Sequence, residues 1–171
     1  MSTKIKLFFT DSVNRKLEEK LPTLGKITRL VCRVRFKTYT GWTKTYDALV
    51  DTGAHTSIIP LSIWQDIKTD ILIDHEIHGI VRKKECSIPV KFANIELKIH
   101  DLEGNFTNAL TVHVYLSLME NVPLLIGFRD LLTKFKVYFD YTENIAHIEC
   151  QQQGTHYSNH FIESVYNSLR R

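Results

Sequence analysis

Ala48-Leu49-Val50-Asp51-Thr52-Gly53-Ala54 sets an ionisable side chain directly behind a run of apolar residues. An Asp at the end of such a run is expected to be partly desolvated and in need of hydrogen-bond donors. Gly53 allows a sharp turn and a close approach to a neighbour or substrate. Thr52 offers a hydroxyl that can bond across to a partner, and Ala54 leaves space. Such a loop can aim a carboxylate into a cleft. Asp-Thr-Gly is also ordinary turn chemistry, so the surroundings have to decide.

Working outward, the period is two. Leu30, Cys32, Val34 and Phe36 alternate with Val31, Arg33, Arg35 and Lys37, the pattern of a half-buried strand. Tyr39-Thr40-Gly41-Trp42 has turn character, so residues 43–50 should return as the second strand of a hairpin. Residues 71–81, 87–100, 106–116 and 135–148 repeat the theme, with turn signals at Glu103-Gly104-Asn105 and Tyr141-Thr142-Glu143-Asn144. Leu110, Val112, Val114 and Leu116 share one face. Helical signals are few: 11–21, stopped by Pro22; brief turns at 60–65 and 128–132; and 159–170, where Phe161, Ile162, Val165, Tyr166 and Leu169 build an apolar stripe. The pattern predicts an all-β fold, a closed or folded-over barrel of short antiparallel strands.

Bulk properties narrow the function classes. The chain has 171 residues, enough for one compact domain, and its 43% hydrophobic and 24% charged residues match a globular protein. A net charge of +3 does not argue for nucleic acid. The basic residues Arg29, Arg33, Arg35 and Lys37 alternate with apolar ones and read as the wet face of a strand. No apolar run is long enough to span a membrane, and the first ten residues lack a signal-peptide core and cleavage site. Cys32, Cys86 and Cys150 are odd in number and widely spaced, which suits reduced thiols and a cytoplasmic location.

A second element matters as much as the first. Leu125-Ile126-Gly127 lies downstream, followed by Phe128-Arg129-Asp130-Leu131-Leu132. Together with Leu49-Val50-Asp51-Thr52-Gly53-Ala54 it resembles the paired signature of the retropepsin-like aspartic proteases: two hydrophobic residues before Asp-Thr/Ser-Gly, then a hydrophobic-hydrophobic-Gly strand entering a short helix. The stretch from Gly127 has one residue more before its acidic position than the commonest form. It is similar to the prokaryotic variant, in which a strand like Phe135-Lys136-Val137 follows. The resemblance spans approximately residues 28 to 150. It implies a protease domain over 28–150, an N-terminal extension over 1–27 and a C-terminal helical tail over 151–171, with Gln151-Gln152-Gln153-Gly154 as the joint.

The resemblance implies that Asp51 is catalytic and that Thr52, Gly53, Ala54, Leu125, Ile126 and Gly127 support it. Arg129 and Asp130 would brace the active-site loops. Two carboxylates must share a proton in this chemistry, one as base on a water and the other as acid on the scissile carbonyl. The chain carries one Asp-Thr-Gly, so a symmetric homodimer is expected to bring two copies of Asp51 together on a peptide or protein substrate. A hairpin flap is implied over residues 76–86, with His78, Gly79, Ile80 and Val81 at or near its tip, although the family's multiple glycines are absent. Arg82, Lys83 and Lys84 hint at acidic or polar substrate positions. No cofactor is expected. His75 and His78 with Cys86 have roughly ligand-like spacing, but strand positions i and i+3 point to opposite faces, so no metal is expected either. His55 reads as a surface or packing residue. The competing reading is a catalytically silent module that keeps the fold for peptide binding or dimerisation.

Overall fold

The period-two runs fold as strands whose apolar faces meet in one core. The computed structural model describes residues 3–78 and 87–150. In chain order the strands are β1 (Lys4–Lys6), β2 (Phe8–Val13), β3 (Lys26–Phe36), β4 (Tyr46–Val50), β5 (Ser57–Ile59), β6 (Thr69–His78), β7 (Ser87–His100), β8 (Leu110–Ser117), β9 (Leu125–Ile126), β10 (Phe135–Asp140) and β11 (Ile145–Cys150). Two single-turn helices, α1 (Arg15–Glu18) and α2 (Leu61–Trp64), complete the regular structure with two 3₁₀ turns. The described chain is mostly β, as the alternation predicts. No helix among the described residues is long and apolar enough to cross a membrane.

The ladders close on themselves. From β3 they run through β4, β9, β5, β8 and β7, and β7 pairs back with β3. Cys32, Val34 and Phe36 point inward from β3, Ala93, Ile95, Leu97 and Ile99 from β7, and Val112, Val114 and Leu116 from β8. Cys32 behaves as a small core hydrophobe: burial, with the nearby Asp47 charge, pushes its thiol up to about 12. The expected hairpin forms, with Cys32 opposite Ala48 in the antiparallel β3–β4 pair. The strands are not all antiparallel, however. β9 inserts between β4 and β5, parallel to the first and antiparallel to the second, and β5 runs parallel to β8.

Two helical expectations change. The segment from residue 11 begins as strand, because Asp11, Ser12 and Val13 pair with β3, and α1 starts only after Asn14, whose side chain caps Leu17 N–H. After Gly127 the chain makes a turn and a 3₁₀ turn at Leu132–Lys134 in place of the expected helix. Asp130 has φ 59°, a left-handed conformation that no α-helix continues through. The terminal segment 159–170, expected to be helical, lies outside the described residues, as do Gly79, Ile80, Val81, Arg82, Lys83, Lys84 and Cys86.

Residues 4–13, upstream of both motifs, contribute strands to two sheets. β1 pairs with β11, itself paired with β10, while β2 pairs with β3. Ile5 is fully buried opposite Ile148 and joins the core cluster with Leu7. Truncating a buried Ile to Ala loses transfer free energy and leaves a cavity, typically ~2–5 kcal/mol. Ile5→Ala should therefore lower the urea midpoint of the whole chain in a single transition. An unchanged midpoint would show that β1 is dispensable to the fold.

Candidate active site

β4 ends at Val50 and delivers Asp51 to the loop that turns the chain into β5. The Asp51 N–H donates to the Ile126 carbonyl at 3.0 Å and the Leu49 N–H to the Leu124 carbonyl at 2.9 Å, so the carboxylate-bearing residue is anchored to β9 through its backbone. Its side chain is half-buried and takes the Gly53 N–H on Oδ1 at 2.8 Å. Asp51 thus has a backbone donor of the kind its position calls for. A Cβ on Gly53 would come within 3.2 Å of that same oxygen, so the close approach expected of this glycine is to Asp51 itself. Thr52 and Gly53 are exposed and Ala54 is half-buried. The Thr52 hydroxyl has no hydrogen-bond partner among the described residues.

Gly127 locks the two motifs together. A Cβ there would meet the Ala54 carbonyl oxygen and the Thr56 carbonyl carbon at 2.8 Å and the Ser57 nitrogen at 3.0 Å, all of them backbone. Only glycine lets these chains approach so closely. Its N–H donates to Ser57 Oγ at 3.0 Å, and the next two N–H groups, of Phe128 and Arg129, donate to the Ala54 and His55 carbonyls at 2.9 and 2.7 Å. The loop that follows Asp51 is therefore held by three successive donors from the second motif. Thr56 lies in the same loop with its hydroxyl buried and without a partner.

Comparison with protein families gives one match over this region: the model for the retroviral aspartyl protease matches residues 28–140. The chain belongs to that family. Among solved structures, a retropepsin-like aspartic protease from Rickettsia conorii is similar to this chain, with 15% identity, a TM-score of 0.46, and coverage of 88% of this chain and 94% of that one. Comparison with curated proteins gives no match.

The residues expected to brace the loops of this retropepsin-like chain divide the work. Arg129 touches the loop through its backbone, while its guanidinium lies 5.6 Å from the centre of the Phe92 ring. Asp130 turns the other way and pairs with the His113 ring on β8, accepting also from the His113 N–H at 3.4 Å. Neither His113 nor Ser57 carries a motif in the sequence. Ser57 offers only the weak signal of a polar residue opening an apolar strand. The strands expected to flank the flap are present, β6 pairing with β7 from Thr69 opposite Ile95 to His78 opposite Ser87. Gly79, Ile80 and Val81 lie outside the described residues. His55 is exposed, consistent with a surface role.

Burial opposes the Asp130 charge, but the hydrogen bond and charge of His113, with Arg129 nearby, outweigh it and hold the carboxyl below its ordinary value of 3.8. A depressed native pKa means that the unfolded chain binds the proton first as pH falls. The resulting stability is complete above 3.8 and is lost as pH drops through the lower native value. Asparagine tolerates the left-handed backbone of Asp130 but carries no charge. Asp130→Asn should be less stable than wild type at about pH 5, with the gap narrowing in strong acid. Urea unfolding of both proteins across that range measures it; a gap that does not change with pH would remove the ionised pair from the account.

Proposed function

We propose that the protein is an aspartic endopeptidase in which Asp51 supplies one of two carboxylates and a second copy of the chain supplies the other. Membership of the retroviral aspartyl protease family supports peptide hydrolysis as the reaction class. The observation that carries the assignment to Asp51 is its placement. It is the acidic residue that the β4–β9 ladder and the Gly127 contact jointly fix, at the exposed end of a strand, beside Thr52 and Gly53.

In this reading the two Asp51 carboxylates, about 3 Å apart, share one proton because both cannot ionise at that separation. The ionised one takes a proton from a water, whose oxygen attacks the scissile carbonyl carbon. The protonated one donates to the carbonyl oxygen. Collapse of the tetrahedral species breaks the C–N bond, and the departing nitrogen receives a proton from the dyad. Thr52, Gly53 and Ala54 shape the loop, Leu125, Ile126 and Gly127 seat it, and Arg129 and Asp130 tie it to the sheet. The exposed Thr52 hydroxyl is available to a partner chain. The β6–β7 hairpin, from His78 onward, would lie over an extended peptide and exclude water. Residues 28–150 would form the protease domain, in a cytoplasmic setting, with 151–171 as a tail.

Asp51→Asn keeps an oxygen able to accept the Gly53 N–H, so the loop should fold unchanged while the general base disappears. Peptide hydrolysis should fall by at least about 10³-fold, the scale of general acid–base catalysis. Residual cleavage near the wild-type rate would end the assignment. A shared site also makes activity depend on assembly. Specific activity should decline on dilution in step with the appearance of monomer by analytical ultracentrifugation. A monomer with full specific activity would refute the paired mechanism.

A further inference from the structure

The basic stripe of β3 has a partner stripe on β7 that the active-site reading does not use. Across the β3–β7 ladder Arg35 stands opposite Lys98 and Arg33 opposite His100. Val34, Phe36, Leu97 and Ile99 between them are core residues, so Arg33, Arg35, Lys98 and His100 share the outer face. Trp42, from the turn between β3 and β4, and Phe106, from the turn before β8, stand over this face. The Lys98 ammonium lies 4.6 Å from the centre of the Trp42 ring and 5.5 Å from that of Phe106. Together with Arg35, His100 and Asn105 they line a cavity of about 230 Å³.

The cavity is positive in spite of the acid in its wall. Asp101 is buried, and its carboxylate is already engaged. Oδ1 accepts the N–H groups of Glu103 and Asn105, both at 2.9 Å, while Oδ2 accepts the Lys6 N–H at 3.1 Å and Asn105 Nδ2 at 2.8 Å. His100 is likewise fixed, Nε2 lying 3.0 Å from Thr45 Oγ1 and Nδ1 3.2 Å from the Asp101 carbonyl oxygen. Arg35 and Lys98 have no ion pair among the described residues. Like charges directly opposite one another on a ladder repel, and an anion between them reverses the sign of that interaction. Binding pockets for whole small molecules run from about 300 to 1,000 Å³. This one is smaller and suits a single side chain with part of its neighbour.

We infer that this cavity binds a carboxylate side chain of an extended peptide, an Asp or Glu beside an apolar or aromatic residue. Arg35 and Lys98 take the carboxylate, and Trp42 and Phe106 cover the neighbouring side chain. The site is remote from Asp51. Thr45, bonded to His100, precedes β4 at Tyr46, and Asp51 follows β4 at Val50, which places them about 20 Å apart along the strand. Its use as a docking point for substrates rests on the proposed peptidase activity, whereas binding itself does not.

The test therefore uses the full chain carrying Asp51→Asn, titrated with acetyl-Glu-Phe-amide and acetyl-Gln-Phe-amide. The readout is the NMR signal of the Trp42 indole N–H, assigned through Trp42→Phe. The Glu peptide should shift that signal saturably, and the Gln peptide should bind about tenfold more weakly, the worth of one charge-assisted hydrogen bond. Arg35→Gln and Lys98→Gln should each weaken the Glu peptide about tenfold while leaving the remaining backbone signals in place. Equal affinity for the two peptides, no saturable shift at Trp42, or indifference to both substitutions would overturn the inference. So would inorganic phosphate displacing the Glu peptide at equal concentration, which would make the cavity a general anion site. Because catalysis is already removed, none of these outcomes depends on whether Asp51 hydrolyses peptides.

Discussion

The backbone contact at Gly127 is the constraint on which the site depends. Two loops far apart in sequence approach to distances that no Cβ would allow, and the N–H groups of Gly127, Phe128 and Arg129 close on Ser57, Ala54 and His55. An ionisable residue at the end of a free strand would wander with its loop. Here the strand before Asp51 is held by β9 and the loop after it by the residues that follow β9. Both restraints come from a single short segment. That economy explains why β9 needs only two residues to be structurally decisive.

The insertion of β9 between β4 and β5 also sets the relative directions of the paired strands. The chain turns back at Asp51, so β4 and β5 run in opposite senses, and a strand between them must be parallel to one and antiparallel to the other. Purely local patterns do not contain this. Alternation in β3, β7 and β8 was legible because burial on one face of a sheet imposes period two residue by residue. The parallel pairs were not, since they depend on which distant segment occupies a gap. The same reasoning covers Ser57 and His113. Each is an ordinary polar residue until Gly127 or Asp130 arrives beside it.

The two helical differences have separate causes. Asp11, Ser12 and Val13 read as the start of a helix by capping chemistry, but a ladder with β3 supplies partners to their backbone groups and a single-turn helix does not. Beyond Gly127 the apolar spacing of Leu131 and Leu132 suits a helix, and both are buried. Asp130 interrupts it by taking the left-handed conformation that carries its carboxylate to His113. A short polar residue can hold that conformation at modest cost, whereas a β-branched one could not. Local propensity yielded in each case to a long-range hydrogen bond.

The course of β7 shows how one strand serves both the core and the hairpin expected to act as flap. Along one edge it pairs with β6 from Ser87 to Ile95 and then with β3 from Leu97 to His100, changing neighbours at Glu96. Its other edge pairs with β8 only from Val90 onward. Among the described residues, those before Val90 therefore belong to a two-stranded ribbon with no third strand, and the strict alternation of buried side chains, which holds from Ala93 to Ile99, is already lost between Val90 and Ala93. β6 is wet along nearly its whole length because it is the edge strand of its sheet among the described residues, leaving Ile71, Leu72 and Ile73 exposed. A two-stranded ribbon is marginal on its own and draws its stability from whatever it packs against. The part rooted on β8 is held by the core, whereas none of residues 76–78 and 87–89 is buried, and backbone with so few buried contacts opens at low cost.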